Sequence, residues 1–187
     1  MNTRKLVLIA LLTSLGITLR LMKHLFVGPV QFINFPLVFG LLAGYLFGVR
    51  IGFLVGFLTF SISDLIIFPG PWTIVDSSLS ALLSGVWGLL KKIDDRILIF
   101  ILAYLTTFVY DILSSFILYL LIFGVNNAVV ALSISILGLF MPVMGGYLYA
   151  VGPVTEFTTS FLFTYLVKEL KRILKGDRPR WSGWLLS

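Results

Sequence analysis

Residues 97–123 read ILIFILAYLTTFVYDILSSFILYLLIF, an apolar run in which Asp111 is the only charged residue. A helix needs roughly 20 apolar residues to cross the hydrocarbon core of a bilayer, so this run is long enough to cross. We therefore predict an all-α integral membrane protein with six transmembrane helices, folded as a single membrane domain over residues 1–187. The other five apolar runs lie between charged or turn-rich breaks at 6–22, 35–49, 51–67, 73–90 and 153–167.

The composition of the whole chain agrees with a membrane location. Hydrophobic residues make up 59% of the 187 residues and charged residues only 12%, and the mean hydropathy is +1.07. A soluble domain is nearer a quarter charged, and one of this size could not bury so much apolar surface. Ordinary soluble classes of protein are thereby excluded. The lack of cysteine and the single histidine, His24, exclude disulfides, thiolate metal sites and multi-histidine metal sites.

The positions of the basic residues predict the orientation of the chain. If the N-terminus is cytoplasmic, all of the 14 lysines and arginines except Arg20 and Lys23 fall at the N-terminus, at the two predicted inner connections, or in the tail from Lys168. Basic residues are enriched on the cytoplasmic side of membrane proteins. We therefore predict that both termini are cytoplasmic. The net charge of +6 is then a consequence of topology, and no nucleic acid partner is expected.

Residues 128–150 do not fit a simple count of crossings. They are apolar and long enough to cross, but a crossing here would place the basic tail outside the cell. Gly138, Pro142, Gly145 and Gly146 also disfavour one uninterrupted helix. We predict an extra outer or re-entrant segment, either a hairpin or the first part of a broken final helix.

No motif for catalysis is present in the sequence. The chain has no G-x-x-x-x-G-K-[ST] phosphate loop and no G-x-S-x-G nucleophile elbow. Asp94 and Asp95 lie in a lysine-rich loop and are interpreted as part of a solvated turn. We predict that the protein is not an enzyme and has no catalytic residues, no cofactor and no metal.

Acidic side chains inside the apolar runs are candidates for ligand contact. Ionisable residues in a membrane usually face the bundle interior or a cavity. In the predicted topology, Asp64, Asp76, Asp111 and Glu156 all lie in the outer half or the middle of the membrane, so a site open to the outside is expected. The serines and threonines on the same helical faces lie three or four residues away. Hydrogen bonding between helices is the alternative role of these polar groups.

The predicted outer loops add further candidates. Gln31 and Asn34 precede the second run, Trp72 follows a tight Phe-Pro-Gly-Pro turn, and Asn127 ends the turn that begins at Gly124. Asn34 could instead cap a helix, Trp72 could sit in the interfacial aromatic belt, and Asn127 could belong to a plain turn. The predicted substrate-binding residues are Gln31, Asn34, Trp72, Asp76, Asp111, Asn127 and Glu156.

Small residues four apart predict close helix contacts in the first three runs. Such rows allow two backbones to approach each other, either within one chain or between subunits. The rows are Ala10 and Ser14, Gly40 and Gly44, and Gly52 and Gly56.

Residues 30–56, VQFINFPLVFGLLAGYLFGVRIGFLVG, resemble the substrate-binding S components of energy-coupling factor (ECF) transporters. Ser63-Asp64-Leu65 and Gly70-Pro71-Trp72 also look like this family, as do the chain length and the six predicted helices. The row of Ala10 and Ser14 resembles the first-helix alanine-x-x-x-alanine motif of the family, with serine in place of the second alanine.

The resemblance implies a function that spacing alone does not show. S components bind a vitamin, a related micronutrient or a metal ion from outside the cell, in the plasma membrane of a prokaryote. They work with a membrane coupling (T) subunit and two cytoplasmic ATPase subunits, and transport involves toppling of the S component in the lipid bilayer. Ala10 and Ser14 would then contact the coupling subunit. Because the histidine-rich N-terminus of the metal-specific members is missing here, an organic micronutrient is expected.

Two other functions stay open from the sequence. A membrane scaffold of the MreD type is similarly small and apolar, but it would not need buried carboxylates in the outer half. A proton-coupled transporter of small solutes would use Asp64 and Asp111. For an S component, the four acids compared with Arg20 and Lys23 favour a neutral or amine-bearing ligand over one with several carboxylates.

Overall fold

A computed structural model of the chain describes residues 3–28, 32–121, 124–140 and 152–174. These residues form helices and contain no strand, so the predicted all-α class is confirmed. The helices are α1 (Thr3–Val27), α2 (Phe35–Phe47), α3 (Val49–Ile67), α4 (Pro71–Trp87), α5 (Arg96–Leu121), α6 (Ala128–Phe140) and α7 (Gly152–Leu174).

Three of these helices are long and apolar enough to cross a membrane. They are α1 from Lys5 onward, α3 and α5, and α2 and α6 are shorter apolar helices. The helix α6 occupies the first part of the segment that did not fit the count of crossings. At 1.5 Å per residue its 13 residues span about 20 Å, which is less than the roughly 30 Å of a hydrocarbon core. The rest of that segment, 141–150, lies outside the described residues.

Polar contacts between distant residues show which helix ends lie together. The C-terminal part of α1 meets that of α3 where Arg20 pairs with Asp64. At the start of α2, the backbone N–H of Asn34 donates to Thr159 Oγ1 in α7 at 2.9 Å. We call the region where α1 and α3 finish and α4 and α7 begin the site end.

The opposite end of the bundle carries basic side chains. Lys171 near the end of α7 donates to the Tyr45 hydroxyl at 2.6 Å and to the carboxylate of Asp94, which lies in the connection from α4 to α5. The Tyr45 hydroxyl in turn donates to the backbone oxygen of Ile93. This network joins α2, α7 and the α4–α5 connection, and we call its surroundings the basic end.

The helices α2, α3 and α4 pack against one another through glycines. A Cβ added to Gly44 would lie 1.9 Å from the backbone oxygen of Ser84, and one added to Gly52 would lie 2.5 Å from the Cα of Gly44. No side chain fits at such distances. The glycine rows of α2 and α3 therefore make contacts within the chain, whereas Ala10 and Ser14 of α1 are exposed.

An aromatic cluster completes the core between α2, α4 and α7. The rings of Trp87 and Phe163 meet edge to face with centroids 4.7 Å apart, and Tyr45 packs against both. The indole Nε1 of Trp87 donates to Thr106 Oγ1 at 3.0 Å, which satisfies its polar atom inside the bundle. The cluster holds the three helices together near the basic end and leaves the site end free for a cavity.

Candidate ligand-binding site

A cavity of about 250 Å³ lies between the helices at the site end. Six of the seven helices contribute to its wall, so its shape depends on the packing of the whole bundle. The lining side chains are mostly polar or aromatic. They are Arg20, Phe60, Asp76, Tyr110, Asp111, Ser114, Ser115, Gly138, Leu139, Gly152 and Thr155.

Arg20 is the only basic residue among the described residues of this wall. Its guanidinium pairs with the Asp64 carboxylate at 2.6 Å, donates to Ser63 Oγ at 2.6 Å, and lies 5.1 Å from the centroid of the Phe60 ring. The Arg20 side chain is 21% exposed and that of Asp64 is 3% exposed. The arginine is therefore held in place by α3, and Asp64 serves as its ion-pair partner.

Two of the predicted site residues, Asp76 and Asp111, face the same cavity from α4 and α5. Ser114 Oγ donates to Asp76 Oδ1, which links the two helices. Asp111 is half-buried, and no described residue gives its carboxylate a hydrogen bond or an ion pair. Asp111 thus offers acceptor atoms that a ligand could use.

An aromatic pair forms another part of the wall. The rings of Phe60 and Tyr110 are 5.5 Å apart at an angle of 34°. Small-molecule sites typically combine aromatic surface with a few placed polar groups. The sequence did not single out either ring as a ligand contact. The signal that could have found them is their helical spacing, because Phe60 lies one turn before Asp64 and Tyr110 lies one turn before Ser114.

Glu156 and Asn34 are not among the residues that line the cavity. Glu156 is 0% exposed, and its carboxylate forms no hydrogen bond to another described residue. Asn34 caps α2, since its Oδ1 accepts from the N–H of Leu37 at 3.2 Å. The capping role is therefore observed for Asn34, and binding of a ligand by either residue stays a prediction.

Two other predicted loop residues, Trp72 and Asn127, are not among the residues that line the cavity. The Trp72 ring stacks on Phe68 with centroids 5.4 Å apart, and its Nε1 donates to the Phe68 backbone oxygen at 3.1 Å. Asn127 Oδ1 accepts from the N–H of Val129 at 2.9 Å, which caps α6. Gln31 lies outside the described residues.

A second surface feature lies on α1. The exposed side of this helix forms a shallow groove, and the small side chains of Ala10, Ser14 and Thr18 follow it in steps of four residues. Leu11 and Leu15 border the groove. The row predicted for a subunit contact is therefore accessible in the isolated chain.

Comparison with known families shows which family the chain is similar to. A family model described as "ECF-type riboflavin transporter, S component" matches residues 1–169, which is most of the chain. No curated protein and no solved structure matched. The resemblance inferred from residues 30–56 is therefore confirmed, and it is favoured over the membrane scaffold and the proton-coupled transporter. The family consists of transporter subunits and is not a family of enzymes. The chain belongs to the family of ECF-type riboflavin transporter S components.

Proposed function

We propose that this chain captures riboflavin from outside a prokaryotic cell and delivers it through an ECF importer in the plasma membrane. The observation that carries the proposal is the family match over residues 1–169. The polar and aromatic cavity at the site end supports it, because such a lining suits a flat ring with polar substituents.

The chemistry of riboflavin agrees with the residues around the cavity. The vitamin has a flat aromatic ring system and a flexible chain of hydroxyl groups, and it is uncharged near neutral pH. The rings of Phe60 and Tyr110 provide apolar surface for the ring system. The carboxylates of Asp76 and Asp111 can accept hydrogen bonds from hydroxyl groups. The neutral charge of riboflavin also agrees with the neutral or amine-bearing ligand expected from the sequence.

We assign the two ends of the bundle to the two sides of the membrane. The basic end faces the cytoplasm and the site end faces outward, with six crossings and both termini inside. Lys171 and Asp94 support this assignment, since they join the end of α7 to a lysine-rich connection at the same end. The cavity at the site end then opens to the outside of the cell.

The other predicted residues are given roles in this proposal. Glu156 provides a buried acceptor next to the cavity, and Gln31, Asn34, Trp72 and Asn127 contribute from the outer loops. Ala10 and Ser14 contact the membrane coupling subunit, which acts with two cytoplasmic ATPase subunits. Release of the ligand to the inside follows toppling of the S component in the bilayer.

A titration with riboflavin tests the site. The purified chain in detergent should quench flavin fluorescence on binding, and Asp111→Asn should weaken binding by about tenfold or more, because one of the two acceptor oxygens of the carboxyl group is replaced by an amide NH2 that can only donate. Asp95→Asn is the matched control. Asp95 is exposed at the basic end and caps α5 by accepting from the N–H of Leu98 at 2.7 Å, a role that asparagine also fulfils.

Two results would contradict parts of this proposal. If the unaltered chain does not bind riboflavin, the assigned ligand is wrong. If it binds riboflavin and Asp111→Asn binds equally well, the ligand is right and the assigned cavity is wrong.

A further inference from the structure

A groove runs between α5 and α7 on the surface of the basic end. Its first part, about 420 Å³, is bordered by Arg96, Lys168, Lys171 and Arg172. A second part of about 330 Å³ shares Arg96 with the first and continues along Ile97, Phe100 and Phe161. We call the two parts together the α5–α7 groove. It is separate from the cavity at the site end.

The positive charges of this groove are only partly neutralised within the described residues. Lys171 pairs with Asp94, and Arg172 pairs with Glu169 at 2.8 Å. The Nε of Arg172 is buried without a hydrogen-bond acceptor. The side chains of Arg96 and Lys168 are exposed and form no ion pair with a described residue. The groove therefore presents two exposed basic side chains, Arg96 and Lys168, that no described carboxylate neutralises.

The second part of the groove has a different chemistry. Ile97 is 70% exposed and Phe161 is also exposed, although both are apolar. Phe100 packs edge to face on Phe157, and Phe157 stacks on Phe161. A row of aromatic side chains therefore extends from the basic side chains along the outside of the bundle. A phosphate group alone would leave these aromatic side chains uncovered.

We propose that the α5–α7 groove binds an anionic phospholipid of the cytoplasmic leaflet. The phosphodiester lies between the exposed side chains of Arg96 and Lys168, and an acyl chain lies along Phe100 and Phe161. Charge complementarity selects the head group, since basic side chains next to a membrane favour anionic lipids. The inference rests on the membrane orientation given under the proposed function, but not on the identity of the transported ligand.

Lipid binding can be measured by native mass spectrometry of the purified full chain. The probes are phosphatidylglycerol and phosphatidylcholine with identical acyl chains, and glycerol phosphate as a soluble phosphate. We expect one tightly bound phosphatidylglycerol and much weaker binding of the other two. Arg96→Gln combined with Lys168→Gln should weaken phosphatidylglycerol binding by about tenfold or more, because each basic side chain near the surface contributes to the attraction.

A second double variant separates a built site from general attraction. Lys91→Gln combined with Lys92→Gln removes the same charge from exposed lysines at the same end of the bundle, outside the groove. This variant should bind phosphatidylglycerol as the unaltered chain does. Phe161→Gln should weaken phosphatidylglycerol binding without changing the charge. An unchanged thermal unfolding midpoint in detergent shows that the fold of each variant is intact.

Several outcomes would overturn the proposal. Equal losses in the two double variants would indicate a diffuse electrostatic effect. Equal binding of phosphatidylcholine would show that the head-group charge is not recognised. Equal binding of glycerol phosphate, or an unchanged affinity in Phe161→Gln, would show that no acyl chain occupies the groove. None of these outcomes depends on whether the chain transports riboflavin.

Discussion

The ion pair of Arg20 and Asp64 gives a prediction at the scale of single residues. Asp64 is almost fully buried, and Arg20 is its ion-pair partner at 2.6 Å, whereas Arg20 is partly exposed and also donates to Ser63. The loss of folding free energy should therefore depend on which of the two partners is removed. A buried carboxylate without its cation is costly, but a partly solvated guanidinium that keeps another hydrogen bond is less so.

We expect Arg20→Met to lower the free energy of unfolding by about 3 kcal/mol, and Asp64→Asn to lower it by less. The double variant Arg20→Met with Asp64→Leu should recover much of the loss, since an apolar pair can replace a buried ion pair. Thermal unfolding of the detergent-purified variants measures all three. Equal losses in the two single variants, with no recovery in the double variant, would show that the pair does not act as described.

At the scale of helices, the contact of α2 with α4 depends on the absence of a side chain at Gly44. A methyl group there would lie 1.9 Å from the backbone oxygen of Ser84, so Gly44→Ala has to push the two helices apart. We expect a loss of at least about 2 kcal/mol, which is typical of an overpacked core. The measurement is the shift of the thermal unfolding midpoint in detergent.

Gly85→Ala is the control for this helix contact. Gly85 follows Ser84 in α4, but the nearest atom to its added Cβ would be Val49 Cγ1 at 3.6 Å, an ordinary van der Waals distance. Alanine also has a higher helix propensity than glycine, so stability should stay the same or rise. If both glycine variants lost the same stability, the effect would not come from the α2–α4 contact.

The same helices show what could be predicted from the sequence and what could not. The start of α2 follows from local residues, because Asn34 before Phe35-Pro36 has the chemistry of a helix cap, and the structure has that cap. The network of Tyr45, Asp94 and Lys171 joins residues far apart in the chain, and no local pattern encodes such pairing. Helix positions and the closely packed glycine faces were therefore predictable, whereas polar pairings between distant residues were not.

The candidate site could also be predicted only in part from the sequence. Asp76 and Asp111 stood out because charges inside apolar runs are rare, and both line the cavity. Phe60 and Tyr110 also line it, but an aromatic side chain in an apolar helix looks like any other core residue in the sequence. The sequence also predicted an extra apolar segment over 128–150, but not that a helix ends within it at Phe140, since the apolar residues continue into a segment rich in glycine and proline.

At the scale of the whole molecule, the proposed ligand site and the proposed partner contact lie on separate surfaces. The cavity lies between helices at the site end, whereas the row of Ala10 and Ser14 lies on the exposed side of α1. The two surfaces share α1, which reaches the cavity through Arg20 on a later turn. A change at the α1 groove should therefore affect assembly of the transporter and leave the ligand site intact.

We expect Ala10→Leu combined with Ser14→Leu to weaken association with the membrane coupling subunit by about tenfold or more, because larger side chains fill a groove that small residues leave open. Riboflavin affinity should be unchanged. Co-purification of the tagged chain with the coupling subunit, next to a flavin titration, measures both effects.

The matched control is Ser133→Leu, at an exposed serine of α6, which should change neither the assembly nor the riboflavin affinity. If the α1 variant still assembles normally, the partner contact lies elsewhere on the bundle. If it loses riboflavin as well, the two surfaces are not independent, and α1 would have to transmit changes between them.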